Sequence, residues 1–177
     1  MELTDGNVTL RTPLVDDAPS IAAAVRDSYE TISPWMVWAR PDYTTEDAIQ
    51  WITNQIPGDA DAVPLVNVDD DGTIAGASGL NGFDQLNRRA NLGYWLRPDR
   101  TGRGYATGAT RLVAAWGFDH LELERIEIIM STENEPSRKV AERAGAAYEG
   151  VLRRRLRYHG RQHDAHGFVY LVDGPRP

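Results

Sequence analysis

The sequence predicts a mixed α/β fold: a mostly antiparallel, twisted sheet of about seven strands with one parallel pair, flanked by about four helices. Three observations predict it. The turn "DDDG" separates "PLVNV" from "TIAGASGL", a plain hairpin signal. "ANLGYWL", an alanine-rich helical stretch and "RIEIIMS" follow one another as strand, helix and strand, which requires a parallel pair with a right-handed crossover. Two further strand-like segments, "YEGVLRRRLRY" and "HDAHGFVYLV", meet across "HGRQ" as a closing hairpin.

The elements follow in order. "NVTLRTPLV" alternates apolar and polar residues and reads as the first strand, with Asp16 and Asp17 as caps for the helix behind it. That helix runs through "SIAAAVRDSY" and puts Ile21, Ala24, Val25 and Ser28 on one face. "SPWMVWARPDY" has proline and aromatic residues without a period and reads as a loop. "TTEDAIQWI" supplies a capping threonine and first-turn acids for a second helix near Thr45. After the hairpin and "ANLGYWL", a helix of about fifteen residues buries Ala109, Leu112, Val113, Trp116 and either Phe118 or His120. "RIEIIMS" is β-branched and apolar, as a central strand should be. Pro136 pre-sets the start of a short last helix and Gly145 ends it.

At 177 residues the chain fits a single domain, residues 1–177, with a core that needs no staples. Cysteine is absent, which excludes disulfides, thiolate metal sites and cysteine-based covalent catalysis. No apolar run reaches the length of a membrane span, and "MELTDGNVTL" lacks the regions of a signal peptide, so the expectation is a cytoplasmic protein with no membrane role. A net charge of −7 argues against general nucleic-acid binding and leans toward a cationic acceptor. "RRRLR", Arg153 to Arg157, is a local exception and reads as a solvated strand face. His159, His163 and His166 straddle a turn without a carboxylate set to complete a metal site, so no metal is expected.

"RTGRGYATGA", Arg100 to Ala109, carries the chemistry. Glycines between a strand and a helix can be a tolerant turn or an anion cradle, in which backbone amides at the positive end of a helix face a phosphate. Arg100 and Arg103 can add charge-assisted bonds there. The run is not a Walker A loop, because no Gly-Lys-Ser/Thr closes it. It also departs from a dinucleotide fingerprint: Thr107 takes the third glycine's place and no suitably spaced acid follows.

"GYWLRPDRTGRGYATGATRLVAAWGF" followed by "RIEIIMSTENEPSRKVAERAGAAYEGVLR" resembles the GCN5-related N-acetyltransferase superfamily, and within it the RimJ/RimL branch. The likeness runs from "LRTPLVDDAPSI" to "HDAHGFVYLV". It implies acetyl-CoA as cosubstrate and an amine as acceptor. It also implies that the parallel strands splay at their carboxyl ends to form the cleft. Gly102, Arg103, Gly104, Tyr105, Ala106 and Thr107 would then cradle the pyrophosphate, with Thr101 standing where the family has Gln or Arg. Trp95, Leu96 and Arg97 would offer backbone bonds to the pantetheine arm, Asn134 would bond its amides, and Ser137 would lie near the thioester sulfur.

Acetyl transfer needs a neutral amine, a donor for the developing oxyanion and a proton or hydrogen bond for the departing thiolate. The resemblance gives the last task to Ser137 and the oxyanion to a backbone amide near Trp95 or Leu96, by direct attack in a ternary complex. Relatives often carry Glu where this chain has Asn91, which can hold a water but cannot take a proton at neutral pH. Asp84 and His159 are alternative bases. An α-amine of pKa ~8 is neutral several hundred times more often at pH 7 than a lysine of pKa ~10.4, so a weak base suits an N-terminal α-amine. Trp35, Trp38 and Tyr43 fall where the family builds the acceptor wall. The alternatives are a small amine (antibiotic, polyamine or amino acid) as acceptor, or a catalytically weak acyl-CoA-binding module; an oxidoreductase is a more distant third. Oligomeric state, a homodimer included, is open.

Overall fold

The strands join into one sheet of eight, in the order β1-β2-β3-β4-β5-β6-β8-β7, in a computed structural model that describes residues 1–53 and 61–174. β1 (Glu2–Thr4) and β2 (Thr9–Arg11) form a short hairpin, followed by β3 (Val63–Val68), β4 (Ile74–Asp84) and β5 (Arg89–Leu96) as an antiparallel run. β6 (Arg125–Ser131) pairs parallel to β5, and β7 (Ala147–Tyr158) and β8 (Arg161–Leu171) complete the sheet as the closing hairpin. The strand that sequence reading missed is β1. At three residues it is too short to show a period, although "DG" at Asp5–Gly6, with Gly6 at φ 86°, is a hairpin turn in its own right.

The helices are α1 (Ala18–Asp27), α2 (Tyr29–Ile32), α3 (Thr45–Ile52), α4 (Tyr105–Leu121) and α5 (Glu135–Ala144). The expected first helix is thus two pieces, parted at Ser28, whose buried hydroxyl donates back to the Ala24 carbonyl at 2.6 Å. Asp17 does not cap α1 with its side chain; it is held by Arg11 at 2.6 Å and by the Leu14 amide. α4 turns Phe118 inward and leaves His120 exposed. Thr44 and Asp47 cap α3 reciprocally, and Gly145, at φ 89°, ends α5.

Alternation along the strands feeds two cores on opposite faces of the sheet. Leu65, Leu80, Leu92, Ile126 and Phe168 pack with α4 and α5, while the neighbouring Val66 faces the other way, toward α1 and α3. On β5, Ala90, Leu92 and Tyr94 join the first core and Trp95 joins the second. This puts a β5 residue's chemistry on one face or the other according to its parity. No helix among the described residues is long and apolar enough to cross a membrane.

Candidate active site

The parallel pair is short. β5 and β6 are in register only over Arg89–Asn91 and Arg125–Glu127, while β5 stays paired with β4 as far as Leu96. Beyond Asn91 the two strands part, and the β5 edge that faces β6 has no strand partner. Trp95 and Leu96 close the strand on this free stretch, with Arg97 just after it. An extended ligand arm can pair with such an edge as a missing strand would.

The glycine run sits at the top of this opening. Gly102 (φ 78°) and Gly104 (φ 86°) both take the left-handed conformation, and α4 begins immediately after Gly104. Left-handed backbone is where glycine alone is free of a Cβ penalty. The first carbonyl of the run to accept an intrahelical bond is that of Gly104, from the Gly108 amide. The amides of Tyr105, Ala106 and Thr107 therefore form the open first turn and carry the positive end of the helix dipole. A Cβ on Gly102 would meet nothing within 4 Å, so space lies open in front of the loop. Asn7, from the β1–β2 turn, donates to the Arg103 carbonyl at 2.9 Å and braces it.

The side chains of the run divide sharply. Arg103 is exposed, with only a 3.4 Å contact to the Asp99 carbonyl. Arg100 is committed elsewhere: its guanidinium lies 2.8 Å from Asp69 and 3.5 Å from Asp71, at the β3–β4 turn. The guanidinium that the sequence offers to a phosphate thus already has two acidic partners. Arg97 is likewise held, by Asp27 at 3.3 Å and Asp99 at 3.1 Å, and its backbone is engaged as well: the amide donates to the Ala75 carbonyl at 2.8 Å and the carbonyl accepts from the Arg100 amide at 3.0 Å. Tyr105 is buried in the core, so only its amide belongs to the cradle.

Across the opening, Asn134 caps α5 by accepting from the Ser137 amide at 3.2 Å. This uses its Oδ1 and leaves Nδ2 as a donor with no partner among the described residues. The Ser137 hydroxyl lies 2.9 Å from the phenol of Tyr94, which also donates to the Ser137 carbonyl at 3.0 Å. Burial pushes the Tyr94 phenol up to about 12, against the opposing pull of Ser137, so it keeps its proton through the neutral range.

On the opposite face of β5 lies a cavity of about 290 Å³, between α1, α3, the 33–43 loop and the strands β3, β4 and β5. Trp38 meets Tyr43 edge-on at 6.0 Å and Trp95 at 6.3 Å, so these three rings cluster in its wall. Arg26 pins the loop by donating to the Tyr43 carbonyl at 2.7 Å, and burial pushes the Tyr43 phenol up to about 12. The structure brings Trp38 and Tyr43 together as expected but leaves Trp35 out of the lining, its amide tied into the turn after α2. Trp95 enters this wall by its side chain, whereas sequence reading used only its backbone. Met36, Trp51, Asn81 and Tyr94 were missed. Trp51 lies on the amphipathic α3 helix, where its spacing is that of ordinary core, and Tyr94 is visible in sequence only through the parity of β5.

The lining contains no carboxylate, histidine or lysine among the described residues. At the last paired position before the strands part, Asn91 donates to Asn81 Oδ1 across the β4–β5 register at 2.9 Å. Asn81 faces the cavity. Asp84 is remote from it: it belongs to a separate cleft with Arg88 and Glu122, and Asn87 and Arg89 hold its carboxyl below the usual range. His159 is exposed and lies 3.0 Å from the Ser33 carbonyl; His163 stacks on Tyr158, and His166 meets Tyr148 edge-on with its Nδ1 3.0 Å from the phenol. No group of three metal-binding side chains converges among the described residues.

A parted parallel pair, an amide cradle on the helix between its strands and an aromatic cavity on the far face define the plan of an acyl-CoA-dependent transferase. The family model for the acetyltransferase (GNAT) domain matches residues 7–147. The N-acetyltransferase p20 of Bacillus licheniformis, itself uncharacterized, is 31% identical over 169 residues, covering 93% of this chain and 92% of its own. YdaF of Bacillus subtilis strain 168, which carries a provisional ribosomal N-acetyltransferase name, is 40% identical over 94 residues, or 53% of this chain and 51% of that one. The spermidine N(1)-acetyltransferase of Escherichia coli K12 is 31% identical over 98 residues, covering 55% of this chain and 53% of its own. The chain thus spans about half the length of the latter two. Mycobacterium smegmatis RimJ, solved in complex with CoA-disulfide, superimposes with a TM-score of 0.83 at 26% identity, covering 97% of this chain and 86% of that one. The chain belongs to the GNAT acetyltransferase family.

Proposed function

We propose that this N-acetyltransferase moves the acetyl group of acetyl-CoA to the α-amine of a polypeptide N-terminus. The observation that carries the reading is the aromatic cavity without a carboxylate, histidine or lysine in its lining. With no strong base at hand, the acceptor must supply much of its own neutral form. At pH 7 an α-amine of pKa ~8 does so several hundred times more often than a lysine of pKa ~10.4. A polyamine would also need anionic groups for its second charge, and this lining offers none among the described residues.

The chain's residues supply the remaining tasks. The amides of Tyr105, Ala106 and Thr107 and the guanidinium of Arg103 hold the pyrophosphate. The free edge of β5 at Trp95 and Leu96 and the Asn134 Nδ2 hold the pantetheine arm, and a β5 amide near Trp95 or Leu96 stabilises the oxyanion. The amine nitrogen bonds to the carbonyl carbon, the carbon–sulfur bond breaks, and the thiolate takes a proton from Ser137. Tyr94 holds the Ser137 hydroxyl in place, and solvent returns the proton that Ser137 gives up. Asn91, paired with Asn81, orients the water that carries the ammonium proton away.

A panel of acceptors with acetyl-CoA, read by thiol release, tests the reading. Peptides with a free α-amine are expected to turn over, and the same peptides blocked at the α-amine but bearing lysine are not. Turnover on spermidine or other small amines alone overturns it. Binding of acetyl-CoA without turnover on any amine identifies a binding module instead.

A further inference from the structure

The arginines of this chain are unevenly spent. Eight of them, Arg11, Arg40, Arg88, Arg89, Arg97, Arg100, Arg125 and Arg138, sit in ion pairs. Arg153, Arg154, Arg155 and Arg157 on β7, with Arg161 at the start of β8, are exposed and join no ion pair among the described residues. Two acids lie on the same hairpin, and neither pairs with these guanidinium groups among the described residues. Glu149, at the far end of β7, is bound by Arg125, and Asp164 accepts from the Arg154 backbone amide at 2.8 Å. Arg154 itself takes a left-handed φ of 53° where the β7–β8 register slips, so the strand bulges at the centre of the cluster. A chain of net charge −7 thus keeps a concentrated positive strip on the last strand of its sheet.

That strip leads to the acceptor side of the molecule. Tyr158, next to Arg157, donates its hydroxyl to Ser131 at 2.9 Å, at the carboxyl end of β6 where β5 has already parted from it. His159, at the tip, lies 3.0 Å from the carbonyl of Ser33, where the loop bearing Trp38 and Tyr43 begins. A polypeptide whose N-terminus enters the cleft can leave along this hairpin. At about 3.3 Å per extended residue, five or so residues span the length from Arg157 to Arg153.

We infer that β7 is a docking strip for an acidic polypeptide segment that follows the acceptor amine. The inference rests on the N-terminal α-amine reading and narrows it to chains with Asp or Glu downstream. An acidic polypeptide is favoured over nucleic acid because the rest of the surface is net negative and repels a long polyanion, whereas a short acidic segment needs only the strip. A second copy of this chain is disfavoured at the same edge, where arginine would face arginine.

The test compares two peptides with the same first three residues, one continuing in alternating Asp and Glu, the other in Ser and Gly. The acidic peptide is expected to show about tenfold higher kcat/KM at low salt, with the advantage shrinking as ionic strength rises. In the variant R153E/R155E/R157E the preference should vanish or reverse while kcat/KM on the neutral peptide stays within about twofold, which also shows that the variant is folded. Equal rates on both peptides at every salt concentration overturn the inference, as they would for arginines that merely guard an edge strand. Inhibition by RNA without any peptide preference overturns it in favour of a nucleic-acid partner. Failure of every peptide defeats the α-amine reading itself, a separate outcome.

Discussion

The phenol of Tyr94 lies 2.9 Å from the hydroxyl of Ser137 and 3.0 Å from the carbonyl of the same residue, tying the free end of β5 to the first turn of α5. In the proposed mechanism the thiolate departs into the opening that this pair straddles. Tyr94→Phe keeps the ring and its packing and removes this tie. We expect kcat to fall about tenfold, the worth of one hydrogen bond near 1.4 kcal/mol, with the KM for acetyl-CoA nearly unchanged. Ser137→Ala should cost more, about a hundredfold, as loss of a general acid does. Steady-state kinetics of the double variant should match Ser137→Ala alone, because Tyr94 acts through that serine. Additive losses would show that Tyr94 works independently.

The pH profile follows from what does not titrate. Tyr43 and Tyr94 are both pushed up to about 12 by burial and stay protonated across the working range. The rising limb of kcat/KM should therefore track the acceptor: rate increases with pH as the α-amine loses its proton, with a midpoint near ~8. Changing the first residue of the peptide to one with a less basic α-amine should move the midpoint down by the same amount. Asn91→Ala should lower kcat several-fold and leave the midpoint in place. A midpoint that ignores the acceptor's pKa would reveal an enzyme base, and unchanged kinetics in Asn91→Ala would remove Asn91 from the mechanism.

The two arginines of the glycine run should behave oppositely. Arg103 is exposed and close only to the Asp99 carbonyl, so Arg103→Ala should raise the KM for acetyl-CoA about tenfold or more and weaken its salt dependence. Arg100 is nearly buried against Asp69, whose side chain is 3% exposed. Arg100→Ala removes that carboxylate's cationic partner, leaving it the Thr73 amide at 3.0 Å, and should lower the melting temperature with little change in KM. Thermal melts and acetyl-CoA titrations on both variants read the contrast directly.

Periodicity carried most of the fold because burial enforces it. The parity of β3 and β5, the Thr44 cap and the Gly145 stop are local, and each appears where its residues call for it. What escaped was set by contacts distant in sequence. Arg100 could be separated from Arg103 only by knowing that the β3–β4 turn brings Asp69 and Asp71 to it. Trp95 joins Trp38, and Tyr94 joins Ser137, across 57 and 43 positions of chain, and no window of sequence contains either pair. The glycine run at the start of α4 was legible because it is a contiguous backbone motif. The aromatic cavity was legible only in part, because it is assembled from a loop, two helices and three strands.

Asp47 gives the acceptor wall a pH dependence of stability. Its carboxylate accepts from the Thr44 amide and hydroxyl, both at 2.7 Å, and from Arg40 at 2.5 Å, which together hold it down to about 2. A carboxyl depressed below its unfolded value of ~3.9 stabilises the fold fully above that value, and the contribution fades as pH falls toward the folded value. Asp47→Asn should therefore be less stable than the parent at pH 7, with the gap closing between about pH 4 and 2. Asp17, held low by Arg11, stays in both proteins and cancels in the comparison. Denaturant melts followed by circular dichroism at several pH values measure the gap, and a gap that remains constant down to pH 2 would show that the Asp47 carboxylate carries no charge-dependent stabilisation. Because Asp47 also anchors Arg40, whose guanidinium lies 5.7 Å from the Tyr43 ring centre, Asp47→Asn should in addition raise the acceptor KM while leaving that for acetyl-CoA unchanged.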